Sequence, residues 1–527
     1  MSLRTPVRPC GAGSSRCANW SLSVMARVCL ASTLTAGAMG CDGRATVLPA
    51  PVTVQIGVAL PREGVPSGGV RAFVDGVVNE ALVGIGWDGR ATSKIAAAWQ
   101  YSPDGLALRL QLHPNIKFHD GTPVTSEIVK QVLRKVIGAQ GRPLSYSSIT
   151  EIRVIDDRVL ELHLSRPESF LLSDLAGSSI KHLDKDQIGV GPYRLTDQKD
   201  QRDVARLEAF QDYYRGRPRT DRVEVKAYRD QRSSWAALMR GEINALHEVN
   251  PATADFVEAE SSIRTFAFLR PYYAFLSFNL NHPVLSRAEV RQALSHAINR
   301  PQVVQLALRG RGQPADGPIW PFHWAYSTGH KSYSYNPEAA RLVLDAAGFP
   351  VPADRPIGRM PSRLRFKCLI LAEYARFETM ALVMQKQLFD VGVDMELEAV
   401  PLADFVKRAT TGQYDSLLFE WASARTLGWV YNAWHSPAPG AVSPNAGYRA
   451  ADAVLDRLRR STNEDESRVA VSELQRILYE DPPAVFIAWP NVSRAVSTAF
   501  VVPQESNPDV MGSLWLWQPV SGRPAGK

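Results

Sequence analysis

Two runs of strand length separated by a helical pattern constrain the fold of this chain more than any other feature. Residues 364–371 form an apolar run, residues 393–400 also have the pattern of a strand, and Gly392 precedes the second run as a helix stop signal. The residues that recur between the runs at helical spacing are Phe377, Met380, Met384 and Leu388. A strand, a helix and a strand in this order form a parallel crossover unit, because a short hairpin cannot join parallel neighbours. The pattern therefore predicts an α/β domain.

Length and charge narrow the class of protein. At 527 residues the chain exceeds one ordinary core, so two or three packed units are expected. Hydrophobic residues make up 45% and charged residues 21%, as in globular proteins. The formal net charge is +7, but the first forty residues hold Arg4, Arg8, Arg16 and Arg27 and no acid, which leaves +3 for the rest. This balance gives no reason to expect a nucleic-acid partner.

The N-terminal segment has the pattern of a secretion signal. Arg27 precedes a run of small and apolar residues, and Gly40 and Cys41 close it. The sequence Ala38-Met39-Gly40-Cys41 resembles a lipobox, in which the cysteine becomes the lipidated first residue, although Ala38 replaces the usual leucine. We predict a signal peptide over residues 1–40, a lipid anchor at Cys41 and a tether to residue 51. An ordinary cleavable signal with an incidental cysteine is the alternative.

Cysteine usage and hydropathy agree with export. Of the five cysteines, Cys10, Cys17 and Cys29 belong to the leader and only Cys368 remains in the body beyond Cys41. A single internal cysteine cannot form an intramolecular disulfide, and its apolar neighbours predict a buried strand position. No later stretch approaches about twenty uninterrupted apolar residues, so acyl chains would be the only membrane anchor.

The segment from residue 95 to residue 130 combines a strand, a turn and a capped helix. Four leucines alternate over residues 106–112 as in a half-buried strand. Residues 119–123, His-Asp-Gly-Thr-Pro, turn the chain, and Thr125 can cap a helix that starts near residue 126. The order of these features resembles the segment that marks family 5 extracellular solute-binding proteins, the receptors of oligopeptide, dipeptide and nickel importers.

Further motifs extend this resemblance from about residue 52 to residue 505. The segments that resemble family elements, in the family's order, are 189–195, 212–218, 235–245, 290–300 and 482–489. Within the first of them, Gly189 and Gly191 permit a sharp change of chain direction. Earlier in the chain, the spacing of apolar residues predicts a helix over 73–83 with Leu82 on its buried face.

The resemblance implies the fold and its division. It implies an α/β, two-lobed receptor like the periplasmic binding proteins, of class II type, with an extra small subdomain in the first lobe. Two lobes joined by crossing strands can close over a ligand. The implied division assigns residues 52–80, 187–268 and 481–520 to the first lobe, 81–186 to the inserted subdomain and 269–480 to the second lobe.

The segment 419–426 holds the first candidates for ligand binding. It resembles the family's Trp-x-x-Asp segment, in which the aspartate of peptide binders pairs with the ligand's ammonium group. Trp421 matches the tryptophan, but Ala424 stands at the aspartate position. A methyl group cannot pair with an ammonium ion, so this departure argues against ordinary peptide capture. Arg425 would instead suit a carboxylate, phosphate or sulfate, unless it points to solvent.

Other residues complete the candidate site. Ser423 lies in the same segment, and Glu420 could replace the missing aspartate, although on a strand it would share a face with Ala422 and Ala424. The further aromatic candidates for a pocket wall are Tyr272, Tyr273 and Trp429. Any individual aromatic residue in a chain of this length is more often part of a core or of surface packing.

Catalytic motifs are missing from the sequence. No Gly-x-Ser-x-Gly elbow, HExxH helix or phosphate-cradling glycine loop occurs, and the ten histidines form no tight cluster. We therefore expect no enzyme activity, no cofactor and no dedicated metal site, although a nickel complex bound through a carrier stays conceivable within the family.

The resemblance also implies a role. A monomeric receptor would capture a peptide or another polar ligand, such as an opine-like conjugate or an oligosaccharide, and deliver it to an ABC permease with its ATPase. The alternative is a ligand-presenting sensor or chaperone-like receptor of the same fold. Both interpretations place the protein on the periplasmic or extracellular face of the cell membrane.

Overall fold

The computed structural model describes residues 51–59, 69–139, 141–197, 204–251, 253–351, 362–437, 443–503 and 508–520. The predicted signal peptide, Cys41 and most of the tether lie outside these residues. Within the described ranges, no helix is long and apolar enough to cross a membrane.

The strands of the described residues are short to medium in length. In chain order they are β1 (Thr53–Ala59), β2 (Glu80–Ala81), β3 (Val83–Ile85), β4 (Ala91–Ser93), β5 (Ala96–Tyr101), β6 (Ala107–Leu112), β7 (Ile149–Asp156), β8 (Val159–Leu164), β9 (Ser179–Ile180), β10 (Tyr193–Asp197), β11 (Val204–Ala209), β12 (Arg222–Tyr228), β13 (Ala245–Val249), β14 (Ile263–Leu269), β15 (Tyr272–Phe278), β16 (Gly312–Pro314), β17 (Leu364–Leu371), β18 (Val393–Val400), β19 (Ser416–Ala422), β20 (Ala484–Ser497), β21 (Phe500–Val501) and β22 (Gln518–Pro519).

The helices lie between and around these strands. In chain order they are α1 (Gly69–Val78), α2 (Ser126–Gly138), α3 (Leu171–Asp174), α4 (Gln231–Met239), α5 (Ala254–Glu258), α6 (Ala288–Ala297), α7 (Arg300–Ala307), α8 (Pro337–Ala346), α9 (Ala375–Asp390), α10 (Leu402–Thr411), α11 (Leu427–Trp434), α12 (Asp452–Arg460) and α13 (Glu464–Glu480). Three short 3₁₀ helices span Leu144–Ser148, Leu175–Gly177 and Val510–Leu516.

The predicted crossover unit is confirmed. β17 and β18 pair in parallel from Leu364 opposite Val393, and α9 connects them. Gly392 adopts φ +86°, the left-handed conformation that ends a helix at little steric cost in glycine. Cys368 is fully buried on β17, as predicted, and burial raises the pKa of its thiol to about 12. Because β19 also pairs in parallel with β17, the carboxyl ends of these strands meet at one edge.

One sheet of twelve strands connects two of the main hydrophobic cores. Its main path is β10-β11-β12-β1-β13-β20-β15-β19-β17-β18, and β14 and β16 also pair with β20. The first core gathers residues of β1, α1, β11 and β12, and we call this part the first lobe. The second core gathers residues of β15, β17, β18, α6 and α9, and we call this part the second lobe.

A third core belongs to the inserted subdomain, which follows α1 in the chain. Its antiparallel sheet has the order β5-β6-β8-β7, and its buried residues run from Leu82 to Val190. As predicted, Thr125 caps α2 by accepting a hydrogen bond from the Ile128 amide at 3.4 Å. The residue boundaries of the three parts stay a prediction.

Two backbone segments pass between the lobes. β20 pairs with β15 over 484–488 and with β14 over 491–497, so Pro490 lies between its two halves. β14 continues into β15 through Arg270 and Pro271, and the Arg270 amide donates to the Pro490 carbonyl at 2.8 Å. The crossing segments are therefore adjacent, as hinge closure of two lobes requires.

The predicted helix over 73–83 is too long. α1 ends at Val78, and Leu82 lies in the core of the inserted subdomain instead of on a helix face. The chain leaves the helix because Glu80 pairs with β9 and accepts hydrogen bonds from the Tyr213 and Tyr214 hydroxyls at 2.7 and 2.6 Å.

Gly189 and Gly191 serve close packing more than a change of direction. Neither has a positive φ. A methyl group on Gly189 would lie 2.1 Å from the Val78 carbonyl oxygen, and one on Gly191 would lie 2.4 Å from the Val77 carbonyl oxygen. Any side chain at either position would push the segment before β10 away from the end of α1, so both positions require glycine.

Candidate ligand-binding site

A strained loop follows β19 at the edge where the parallel strands of the second lobe end. Ser423 donates its amide to the Pro271 carbonyl at 2.8 Å, which ties the loop to a crossing segment. Ala424 and Arg425 both have positive φ, +47° and +62°. Two successive non-glycine residues in this region store strain of a few kcal/mol, and such strain is concentrated at functional sites. Thr426 then leads into α11.

The candidates from the sequence lie on two faces of the sheet. Directly opposed residues of neighbouring strands share a face, so Trp421 lies with Tyr273 while Ala422 lies with Tyr272. Glu420 lies on the Tyr272 face by strand alternation. The expectation that Ala424 shares this face is wrong, because the strand ends at Ala422 and Ala424 itself has a left-handed backbone conformation.

Arg425 contacts the inserted subdomain. Its guanidinium carbon lies 5.8 Å from the centre of the Trp87 ring, and Nη2 donates to the Ile85 carbonyl at 3.2 Å. Burial lowers the pKa of Arg425, and the nearby charge of Asp509 partly offsets this shift. The side chain therefore lies in a half-buried environment, directed at another part of the protein instead of at bulk solvent.

Polar atoms without partners are concentrated in this loop. We call residues 421–426, the last two residues of β19 and the four that follow, the loop 421–426. Its buried side-chain atoms that make no hydrogen bond are Trp421 Nε1, Ser423 Oγ, Arg425 Nε and Thr426 Oγ1. All four atoms can donate a hydrogen bond. Leaving a buried donor unsatisfied costs about 1–3 kcal/mol, so native structures keep such groups where they have a use. The loop offers donors that a ligand rich in acceptors would satisfy.

Glu420 lies among arginines on the other face. Its Oε2 accepts from Arg376 at 2.9 Å and from Arg270 at 3.4 Å, while Oε1 is buried without a partner. Two guanidinium groups around one carboxylate give this cluster a positive balance, so an ammonium group would meet repulsion there. The two neighbouring arginines therefore argue against Glu420 as a replacement for the missing aspartate.

Arg376 is a candidate site residue that the sequence reasoning missed, and its guanidinium carbon lies 5.5 Å from the ring centre of Tyr374. Both follow β17, and Arg376 lies in the first turn of α9. The chain passes from β17 to β18 on one side and returns to β19 on the other, which makes this edge a topological switch point. Ligands of open α/β sheets bind at such points, beyond the carboxyl ends of the strands. The strand–helix–strand unit predicted from the sequence already indicated such an edge, because it makes β17 and β18 parallel.

Aromatic side chains connect the site with the inserted subdomain. Tyr273 is fully buried and accepts a hydrogen bond from Trp434 Nε1 at 3.0 Å. Its ring lies 5.3 Å from Trp489, which lies 5.3 Å from Trp320. Trp320 in turn lies 4.9 Å from Trp87 and donates to its carbonyl at 2.7 Å. Tyr273 thus supports the site from within the core.

Tyr272 and Trp429 have more exposed positions. Arg270 lies over the Tyr272 ring, with its guanidinium carbon 3.9 Å from the ring centre. This contact places Tyr272 next to the Glu420 cluster. Trp429 lies on α11 with 40% of its surface exposed, so the structure does not bring it into the buried loop.

The first lobe presents a charged pair near Arg425. Arg494, on β20, forms a two-pronged contact with Asp509 at 3.0 and 2.9 Å and also donates to the His247 carbonyl. Burial raises the pKa of Asp509, but the hydrogen bonds and charge of Arg494 outweigh it and hold the pKa below its ordinary value. Asp509 is therefore ionised at neutral pH, and its field reaches Arg425 across the lobes.

Fold and site together define a receptor built to enclose a ligand between α/β lobes, and comparison with known proteins identifies its family. A model of the bacterial extracellular solute-binding proteins, family 5, matches residues 91–438. The chain belongs to this family, as the sequence motifs predicted. Members of the family are receptors and not enzymes.

Individual relatives are distant. The chain is 24% identical over 468 residues to the dipeptide-binding protein of Escherichia coli K12, covering 76% of this chain and 81% of the relative. It is 27% identical over 287 residues to a glutathione-binding protein of Pectobacterium atrosepticum, covering 51% of this chain and 55% of the relative.

A solved structure confirms the predicted fold class. The ABC transporter substrate-binding protein CtaP of Listeria monocytogenes superposes with a TM-score of 0.77 at 19% identity, over 89% of this chain and 99% of that one. The two-lobed α/β fold of the family therefore extends over nearly all of the described residues.

Proposed function

We propose that this protein is the substrate-binding component of an ABC importer and that its ligand is a small polar molecule with an acidic group. The proposal of an acidic group rests on the loop 421–426, where Arg425 and three other residues place unsatisfied hydrogen-bond donors close together. A carboxylate offers several acceptor sites and pairs well with a guanidinium group. The dipeptide and glutathione named for the relatives also carry carboxylates.

The same site disfavours a ligand held mainly through an ammonium group. Ala424 offers no charge, and the carboxylate of Glu420 is engaged by Arg270 and Arg376. The cationic side chains at the end of the parallel strands thus outnumber the carboxylate that they contact. An acidic peptide or an acidic non-peptide conjugate fits this balance better than a ligand with a positive end.

The lobes supply the means of capture. We assign residues 52–80, 187–268 and 481–520 to the first lobe, 81–186 to the inserted subdomain and 269–480 to the second lobe. Closure would bend the adjacent crossing segments near Arg270 and Pro490. A permease could then distinguish the closed form from the open form by its contacts, and the coupled ATPase would drive import.

Attachment to the membrane is the remaining part of the proposal. We infer a lipid on Cys41 and a position on the periplasmic or extracellular face of the cell membrane. Metabolic labelling with a radioactive fatty acid tests this inference. A Cys41→Ser variant should lose the label and leave the membrane fraction, and retention of the label would contradict the assignment.

Native mass spectrometry of the gently purified protein, followed by denaturation, tests the ligand class. We expect a released mass that carries at least one acidic group. Arg425→Gln should lower the occupied fraction at least about tenfold, because the guanidinium contact is lost. The matched control is Arg365→Gln at the opposite end of β17, which should leave occupancy unchanged.

Two results would contradict the proposal. A released ligand with no acidic group would exclude the assigned class. Equal occupancy in Arg425→Gln and in the wild type would remove the loop from the binding site.

A further inference from the structure

A segment of the inserted subdomain docks onto the second lobe next to the ligand-binding loop. The Phe170 ring belongs to the second lobe's core and lies 5.7 Å from the Tyr431 ring of α11. Ser169 donates from its amide to the Arg459 carbonyl and from its hydroxyl to the Leu458 carbonyl, both at 2.8 Å. Side chain and backbone therefore both hold this segment, residues 166–174, against α11 and α12.

A buried ion pair lies at the centre of the contact. Glu168 and Arg459 are 2% and 7% exposed, and Glu168 Oε2 accepts from Arg459 Nε at 2.7 Å. Arg459 also donates to the Leu144 carbonyl at 3.1 Å and lies over the Tyr431 ring. The two side chains match only when both are present, because either one docked without the other would be a buried charge without its partner. The pair therefore specifies how the two surfaces meet.

A second carboxylate faces the beginning of α11. A methyl group on Gly428 would lie 3.5 Å from Asp174 Oδ1, which places this carboxylate beside the first turn of the helix. The partial positive charge of a helix N-terminus offsets part of the cost of burying such a group. Asp174 is held in place by Ser145, whose hydroxyl donates to Oδ2 at 2.5 Å. The acids of the segment thus meet Arg459 on α12 and the N-terminus of α11.

The position of α11 decides the position of the ligand-binding loop. α11 begins directly after Thr426, and no residue separates it from the loop 421–426. The loop also touches the subdomain through Arg425 and the Ile85 carbonyl. Because its backbone is strained, the loop depends on its surroundings to keep the conformation that presents the four donors.

We propose that Glu168 and Arg459 are positioning residues for ligand binding: their ion pair docks the segment 166–174 on α11 and thereby holds the loop 421–426 in its binding conformation. This inference rests on the proposed function of the loop and deepens it. By linkage, a ligand that favours the ordered loop also strengthens the docking of the subdomain.

Hydrogen–deuterium exchange of the mature protein tests the inference without knowledge of the ligand. Glu168→Gln keeps the volume of the side chain but leaves the Arg459 charge buried beside a neutral amide. We expect the amides of residues 423–431 to exchange about tenfold faster in this variant, because the loop opens more often. The matched control is Glu473→Gln, which removes an ion-pair partner of Arg457 on the same helix α12 and should change nothing in the loop.

The exchange pattern distinguishes positioning from plain stability. Faster exchange confined to residues 144–174 and 452–460, with the loop at its wild-type rate, would overturn the inference. If Glu168→Gln does not fold, Phe170→Leu loosens the apolar half of the same contact and should produce the same pattern in milder form.

Ligand occupancy separates this inference from the proposed function. We expect the co-purified ligand of the wild type to be retained in Glu473→Gln and reduced at least about tenfold in Glu168→Gln. Equal retention in both variants would overturn the positioning role. A wild-type protein that carries no acidic ligand would count against the proposed function, and the exchange pattern would still decide the positioning role.

Discussion

Glu420 and Glu168 are both buried carboxylates that contact arginine, and they differ in their partners. Glu168 accepts a hydrogen bond from one arginine, Arg459, whose side chain is nearly as enclosed as its own, and the exposed Arg166 lies 4.0 Å away. Glu420 meets two, Arg270 and Arg376, and the side chains of both are about one-third exposed. A hydrogen-bonded pair in which both side chains are buried is a structural contact. Two partly exposed arginines around one carboxylate keep donors available, as a binding site requires.

The largest expected effect is at the buried pair. Arg459→Ala leaves Glu168 buried without its main partner, and we expect a loss of about 3–5 kcal/mol in the free energy of unfolding. Urea unfolding followed by tryptophan fluorescence measures it. Arg457→Ala on the same helix is the control, since its exposed pair with Glu473 is worth about 1 kcal/mol or less. Equal losses of unfolding free energy in the two variants would show that the buried pair contributes no more to stability than an exposed pair.

The next effect concerns pH and Asp174. Burial raises the pKa of Asp174 to about 6 from an ordinary value of 3.8. The hydrogen bond from Ser145 lowers this pKa, the negative charge of Glu168 raises it further, and the positive charge of Arg459 lowers it. Because the folded state holds the proton more tightly, the contribution of Asp174 to stability is greatest at low pH and is lost as the pH rises through about 6.

Asp174→Asn should remove this dependence. The difference in unfolding free energy between wild type and variant should change by about 2 kcal/mol between pH 4 and pH 7, with the wild type relatively more stable at the acid end. Urea midpoints measured across this range provide the test. Parallel curves for the two proteins would show that the carboxylate titrates as it does in the unfolded chain.

The smallest expected effect is at the open cluster. Arg376→Gln should weaken binding of the released acidic ligand about tenfold while changing stability by about 1 kcal/mol or less, because the side chain is partly exposed. Isothermal titration with that ligand measures the affinity. Glu420→Gln removes the competing carboxylate and should bind the ligand at least as tightly as the wild type. Abolished binding in Glu420→Gln would instead identify Glu420 as an ammonium anchor.

Local pattern predicted much of the fold. β17 and β18 have the predicted bounds, since the apolar residues of each strand recur at the period of a strand and Gly392 stops the helix before the second one. The end of α1 was not predictable, because Leu82 continues the helical spacing and only the contacts of Glu80 with Tyr213 and Tyr214 draw the chain away. Periodicity cannot show which of two cores a leucine will enter.

The site was predictable in part. The motif pointed to the segment 419–426, and the structure places a loop with two left-handed residues there, while its role in binding stays a prediction. Arg376 was missed because it lies 44 residues from Glu420 in sequence, and only the parallel pairing of β17 with β19 brings their ends together. Tyr273 was named as a pocket wall, and the structure places it in the core, since an aromatic strand looks the same in sequence whichever face it buries.

The sequence by itself determined the family, the α/β crossover of the second lobe and the absence of an aspartate at position 424, because these depend on residue identity and short spacings. Only the tertiary structure decided which charges meet. Glu168 and Arg459 are 291 residues apart, and Arg425 and Ile85 are 340 apart. Electrostatic and hydrogen-bond energies depend on distance in space, and the folding of the chain alone sets that distance.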